Sequence, residues 1–531
     1  MKMKNPILYF LLFVSLFIAA CNNFLDTKPK DTVLPGDYFR NEDEVYAYLT
    51  GVYDRLGKSA TYGRYLYFEM DMSDEGFNSL SATVTDLSLY NYDPAEVKLT
   101  NTWFTLYQGI DRANLLLSRI DSAQMSSQSR EVARGEALFL RGYYYFILTS
   151  NFGEVPLRLQ PTDDVGQSNF PKSPLPVIYN QIISDMTEAE KRVKPINAYS
   201  HSGRITKSAV WGVLARVNLK MAGAPLRDRS RYEDARKWAL KVMDSGQHEL
   251  NKDYKQVFIN MCQDKYDTKE SIWEVEFTKT SSGQYEEGSL GSITGIGTSN
   301  EAVGYSYGAV KVMKSYYEAF STGDLRRDWT INDYYYGTDG SKTPYAGTSN
   351  ATIIYNRCNA KWRREYETAT PKYTSSTTIN FPLLRYSDVL LMFAEAENEI
   401  NGPTQAAYDA INAVRERAYG VLSETDATRK QALKALADLP AGLDVVDFRT
   451  ALQKERSLEL GFEGLRRFDL VRWDIYYQVM KGTASVINSS APEYWKLAAR
   501  SANNLTRRDT LFAIPSRELS LNRDMIQNKG W

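Results

Sequence analysis

A chain of 531 residues is long enough to bury a large core, and length alone favours two to four domains. Its 64 basic and 65 acidic residues nearly cancel, which excludes both the electrostatic footprint of a nucleic-acid binder and a polybasic membrane patch. Only two histidines, His201 and His248, are present, which limits histidine catalysis and metal chemistry, whereas 37 tyrosines and 9 tryptophans are more than a core requires. Tyrosine and tryptophan join a large apolar face to a polar tip, a combination suited to partly exposed surfaces that hold amphipathic ligands.

Lys2 and Lys4 precede an apolar run over 6–20, long enough for a signal-peptide core and too short for a comfortable membrane span. The run ends in Ile18-Ala19-Ala20-Cys21, which looks like a bacterial lipobox. The expectation is a signal peptide over 1–20, lipidation at Cys21, and a body over 21–531 held to a membrane by acyl chains. Cys262 and Cys358 then remain, and the sequence leaves open whether they pair.

The interrupted polar stretch 24–35 reads as a tether. Val45, Leu49, Val52 and Leu56 mark one face of a helix over 42–56. Residues 70–101 are irregular and carry Asp71, Asp74, Glu75 and Asn78; loops of this kind carry function more often than core helices do. A helix is expected over 103–120, and another through EALFLRGYYYFILTSNFGEVPL. In the latter, apolar residues recur on more than one side, so most of its surface must be covered. Small residues at Ala133, Gly135, Ala137 and Gly142 would let neighbours approach closely, and Gly153 with Pro156 ends it. Residues 175–193 form a further helix. Two segments over 203–223 and 232–246 resemble a degenerate tetratricopeptide pair, and a second such pair over 386–418 breaks at Gly402-Pro403.

Between the pairs, over about 265–381, glycine, serine, threonine and tyrosine dominate, with a strand-like run over 271–277 and a helix expected over 309–320. Aromatics with polar neighbours concentrate there, among them Tyr305, Tyr307, Trp329, Tyr335, Tyr345 and Trp362. Residues 455–473 read as helix, with Glu463 in reach of Arg466 or Arg467 one turn on. The tail is irregular and expected to fold back on the body.

Gly304-Tyr305-Ser306-Tyr307-Gly308 matches a G-x-S-x-G elbow, but an esterase of that type needs a histidine downstream, and both histidines lie upstream. Glu459 and Glu463 are spaced like a glycosidase pair; Arg456, Arg466 and Arg467 at helical reach would keep both ionised, so a structural ion-pair network is expected. No Walker loop, H-E-x-x-H or C-x-x-C occurs, and Asp71, Asp74 and Glu75 alone do not supply the six or more oxygens that calcium takes.

Seven segments carry a resemblance: Cys21 with FLDTKP behind it, EALFLRGYYYFILTSNFGEVPL, GRITKSAVWGVLARVNLKMAG, AFSTGDLRRDWTI, LLRYSDVLLMFAEAENEI, ERSLELGFEGLRRFDLVRW and IPSRELSLNRDMIQNKGW. In content and order they resemble the SusD/RagB family of Bacteroidetes surface lipoproteins. Asn22 and Asn23 depart from it, standing where an acidic export signal is often found, as does Leu465 where a polar residue is common. The resemblance implies a mostly α protein: tetratricopeptide-like pairs within about 100–250 and 385–470 form a platform, with an irregular ligand-facing part at about 265–381 that contains short strands. It implies no enzymatic activity; no cofactor is expected and no metal ligands are assigned, and the sequence leaves open whether calcium is bound. It also implies an outer-membrane, outward-facing lipoprotein that binds oligosaccharide, or in the RagB branch peptide, and serves as the lid of a SusC-like TonB-dependent transporter. For a sugar, aromatic platforms at Tyr305, Tyr307, Trp329, Tyr335 and Trp362, with Asp74 and Asn78 as polar partners, are the expected ligand contacts. A secreted esterase or glycosidase is the rival from a different class.

Overall fold

Helical pairing follows from where the chain places its caps and its small residues. The computed structural model describes residues 38–80, 85–162, 169–279, 286–347 and 350–531; the expected signal peptide, Cys21 and the expected tether lie outside the described residues. Helix α1 (Glu42–Tyr53) starts at Asn41, whose side chain accepts from the Glu44 amide, and buries Val45, Leu49 and Val52. Helix α2 (Val97–Arg119) starts six residues before the expected 103, because the Glu96 side chain caps it at the Lys98 amide. Helix α3 (Ser127–Phe152), capped by Ser126, is buried almost all round from Val132 to Phe152 and ends at Gly153 with φ +76°.

Helix α3 lies between α2 and α4 (Leu175–Glu190). A Cβ on Gly109 of α2 would lie 2.5 Å from the Tyr144 ring, and one on Gly135 would lie 2.8 Å from Arg192 Cβ, so these glycines set the helix spacing. Buried charges are paired across the same interfaces: Arg141 grips both Asp185 oxygens at 2.7 Å, and Glu136 accepts from Arg204 at 2.7 and 2.9 Å. The next pair is α5 (Lys207–Ala222) and α6 (Arg231–Met243). The chain then leaves the platform and returns as α7 (Tyr386–Asn401), which packs on α6 and turns at Gly402 into α8 (Gln405–Ala418).

Among the described residues the strands form three two-stranded antiparallel sheets. They are β1 (Gly76–Asn78) with β3 (Val310–Val312), β2 (Ser271–Val275) with β6 (Phe381–Arg385), and β4 (Tyr334–Tyr336) with β5 (Lys342–Pro344). The β2–β6 pair clasps the two ends of the loop-rich excursion, since Ser271 opposes Arg385 and Val275 opposes Phe381. Two expectations are corrected. The helix expected over 309–320 opens as strand β3, because its backbone pairs with β1, and only Lys314–Ala319 is helical. The continuous helix over 455–473 is instead α9 (Val445–Leu460) and α10 (Arg466–Arg472), interrupted where Phe462 and Gly464 take φ of +64° and +72°.

One hydrophobic cluster runs from Phe39 to Met525, and a satellite of Ile296, Tyr334 and Ala360 lies within the loop-rich part. The tail does fold back: the Phe512 amide donates to Asn151 O and the Ser516 amide to Pro94 O, both at 2.8 Å. Among the described residues no helix is long and apolar enough to cross a membrane.

Candidate functional site

The loop-rich part presents tyrosine rings on a hydrogen-bonded base. In β4 the side chains alternate, as a strand requires. Tyr334 turns inward and donates to Glu365 Oε1 at 2.9 Å, whereas Tyr335 turns outward and keeps 45 % of its surface exposed. Its ring meets Tyr345 at 5.3 Å, and the Arg357 guanidinium over Tyr345 at 4.6 Å fixes that second ring in turn. On the neighbouring segment Tyr307 is 48 % exposed and stands edge-on to Tyr305 at 4.9 Å.

The backbone beneath Tyr305 and Tyr307 is held on several sides. Ser306 and Thr298 exchange both amide bonds at 2.9 and 3.0 Å, the Tyr307 amide donates to Ser292 O at 2.8 Å, and Arg364 Nη1 donates to Tyr305 O at 2.6 Å. At Gly308, φ is +55° and a Cβ would lie 3.0 Å from Cys358 Sγ, so only glycine lets the segment seat this closely. Asn300 Nδ2 donates to Thr338 O at 3.2 Å and so links this segment to the β4–β5 turn. Both tyrosine pairs therefore ride on one connected scaffold, and little ordering entropy would remain to be lost on stacking a ligand.

Four of the expected contacts are corrected by burial or by prior commitment of their polar atoms. Trp362 has no exposed surface and is enclosed by Phe258 at 5.4 Å and Phe381 at 6.3 Å. Trp329 is buried under the Arg363 guanidinium, 4.0 Å from the ring centroid. Neither indole offers a face. Asp74 holds Arg466 through two 2.8 Å bonds, and the buried Asn78 bridges the Ser88 hydroxyl and the Leu80 amide, each at 3.0 Å. Tyr305, Tyr307 and Tyr335 remain as surface rings. Tyr345, one of the loop aromatics but not one of the expected ligand contacts, joins them through its ring contact with Tyr335.

The groups that tempted an enzymatic reading have other occupations. Ser306 is buried within its bridge to Thr298, while His201 meets Glu276 at 2.9 Å and His248 meets Lys269 O at 3.1 Å. The expected ion network around Glu459 and Glu463 exists, but with other partners than Arg466 and Arg467. Glu459 accepts from Arg417, Arg385 and Arg326 at 2.6, 3.0 and 3.2 Å, and Glu463 from Lys361 at 2.7 Å and from Arg385. Against the desolvation that burial imposes, those guanidinium groups hold the Glu459 carboxyl down at about 2, where it cannot serve as a proton donor. Asp71 accepts from the Arg467 amide at 3.1 Å, and Glu75 from Ser457 Oγ at 2.9 Å and the Phe462 amide at 3.0 Å. Among the described residues no group of three or more His, Cys, Asp or Glu is placed to hold a metal ion. Cys262 and Cys358 are both buried and free, which resolves their pairing.

Comparison with known proteins agrees along nearly the whole chain. Residues 269–531 match the SusD family, and residues 23–219 match a family described as starch-binding, associating with the outer membrane. A SusD-like protein of Formosa agariphila, P25, is 26 % identical over 526 residues, covering 91 % of this chain and 92 % of the relative. A SusD homologue from Bacteroides thetaiotaomicron superposes with a TM-score of 0.85 at 31 % identity, covering 94 % of this chain and 98 % of its own. A laminarin-binding SusD-like protein shares the fold at a TM-score of 0.69 and 22 % identity, over 93 % of this chain and all of the other. The mostly α platform with short strands and these matches agree: the chain belongs to the SusD/RagB family.

Proposed function

We propose that the protein is a non-catalytic, surface glycan-binding lipoprotein that captures oligosaccharide by stacking it on Tyr307 and Tyr335, flanked by Tyr305 and Tyr345. The observation that carries this reading is that Tyr307 and Tyr335 are about half exposed on a connected, hydrogen-bonded base. Sugar rings present apolar C–H faces and a hydroxyl rim, so flat rings with polar tips complement them. Support comes from relatives of the same fold whose names give their ligands, a laminarin-binding SusD-like protein and a surface glycan-binding protein A from Bacteroides fluxus. In this reading Cys21 carries the lipid that tethers the body to the outer face of the outer membrane, and the protein hands its cargo to a SusC-like TonB-dependent transporter as its lid. No bond of the cargo is broken.

Affinity electrophoresis of the full chain in gels containing starch or laminarin tests the site. Retardation that is lost in Tyr307→Ala and Tyr335→Ala at unchanged melting temperature is the expected result. Retardation equal to wild type in both variants would reject these rings as the platform, and calorimetric heat from peptide mixtures alone would favour a peptide cargo. Release of product from either glycan would overturn the non-catalytic reading.

A further inference from the structure

A groove of about 620 Å³ lies away from the tyrosine face and shares none of its residues. Its walls come from α2, from Pro156, Arg158, Thr162 and Phe170, and from the tail at 518–525. Tyr107 and Phe170 supply aromatic surface inside it, and Phe104 and Leu521 reach it with 52 % and 57 % of their surface exposed. The walls are braced: Tyr107 donates to Pro156 O at 2.8 Å, and Asn522 clamps the Phe170 backbone through bonds of 2.7 and 3.0 Å. The volume falls within the range of about 300–1,000 Å³ typical of small-ligand clefts.

The groove carries charge of both signs. Asp111, Arg112, Arg158 and Glu518, all partly buried, line it, and none of the four enters an ion pair among the described residues. Arg158 instead stacks on Phe170 at 4.4 Å, and Asp111 accepts from the Thr162 amide and hydroxyl at 3.0 and 2.9 Å. Two acids and two bases sum to zero, which favours a neutral ligand. Carboxylates accept and guanidinium groups donate in pairs, a geometry suited to vicinal hydroxyls. An extended peptide would look for a strand edge, and none of the groove-lining residues belongs to a strand. An amphipathic helix would look for a groove free of uncompensated charge.

We infer that this groove is a second carbohydrate-binding site, taking a neutral oligosaccharide between the α2 aromatics and Phe170 with its hydroxyls on the four rim charges. The inference extends the glycan-binding reading and is tested apart from it. Phe104→Ala combined with Glu518→Gln alters the groove, and Tyr307→Ala combined with Tyr335→Ala alters the tyrosine face. Titration of the full chain with maltoheptaose, laminarihexaose and xylohexaose in a calorimeter, with stoichiometry checked by native mass spectrometry, should show two sites for at least one sugar. Each double variant should then retain one site, and each should keep the wild-type melting temperature. A single site that survives the groove variant and disappears in the face variant overturns the second site and leaves the proposed function standing. A single site with the opposite behaviour supports the groove and removes the proposed platform. Two sites unaffected by the groove variant, or no binding of any of the three sugars, overturns the inference.

Discussion

Arg417 Nη2 donates to Glu459 Oε1 across 2.6 Å, with both side chains fully buried. Arg385 of β6 and Arg326 of the loop-rich part reach the same carboxylate, and Lys361 Nζ donates to the Glu459 carbonyl at 3.0 Å. Glu459 on α9 is therefore the point at which α8, the β2–β6 clasp and the loops meet. The charges fasten the tyrosine-bearing region to the helical platform. Removing one partner from such a network leaves the others buried and uncompensated, so Glu459→Ala should cost about 3–5 kcal/mol in urea unfolding. A midpoint equal to wild type would show that the network is dispensable.

The pH dependence of stability should carry the mark of Glu75. Burial pushes its carboxyl from the ordinary 4.5 up to about 7, and Arg466 only partly opposes that shift. Between these values the folded protein holds a proton that the unfolded chain has released, so this group's contribution is full below pH 4.5 and is lost as pH rises through 7. At 1.36 kcal/mol per pKa unit the loss is about 3 kcal/mol. Glu274, raised to about 7 by burial, works in the same direction. Glu75→Gln keeps an oxygen that can accept from the Phe462 amide and is neutral and of the same size as the protonated acid. That variant should match wild type near pH 4.5, exceed it above pH 7 and show a shallower fall between, by thermal melts across the range. Parallel curves would place the Glu75 titration elsewhere.

At the acid end the sign reverses. The guanidinium groups around Glu459 and Asp388 hold both carboxyls down to about 2 against the cost of burial. Their stabilisation is present above about pH 4 and is lost as pH falls toward 2. Guanidinium-chloride midpoints should drop steeply between pH 4 and pH 2, and Asp388→Asn should weaken that dependence.

Aromatic residues of the loop-rich part should separate into two classes. Trp362→Ala opens a cavity between Phe258 and Phe381 and should cost about 3–5 kcal/mol. Tyr307→Ala and Tyr335→Ala, at half-exposed positions, should change stability by no more than about 0.5 kcal/mol. Thermal melts of the three variants check the division, and a stable Trp362→Ala protein would contradict it.

Gly109→Ala tests the helix spacing. In an isolated helix the change would gain about 1 kcal/mol. Here the new Cβ would stand 2.5 Å from the Tyr144 ring, whose hydroxyl is bound to Val52 O, so the ring has no room to yield. The expected outcome is a net loss of about 1–3 kcal/mol in urea unfolding, and a gain would mean that α2 and α3 can move apart.

The helices of the platform were legible in the chain itself. The stripe of Val45, Leu49 and Val52, the stop at Gly153 and the break at Gly402 all lie within a turn or two of the backbone they govern. The family resemblance was legible for the same reason in the four segments that fall on α3, α5, α7 and α9–α10. Whether a loop aromatic faces solvent has no such local cause. Phe258 and Phe381 from other elements cover Trp362, whereas strand alternation with the return strand β5 turns Tyr335 outward. Strand β3 read as helix because its pairing partner is β1, far away in sequence. Periodicity and capping act over a few residues and are written in the sequence; burial and ion pairing join residues from tens to hundreds of positions apart, and only the folded chain decides them.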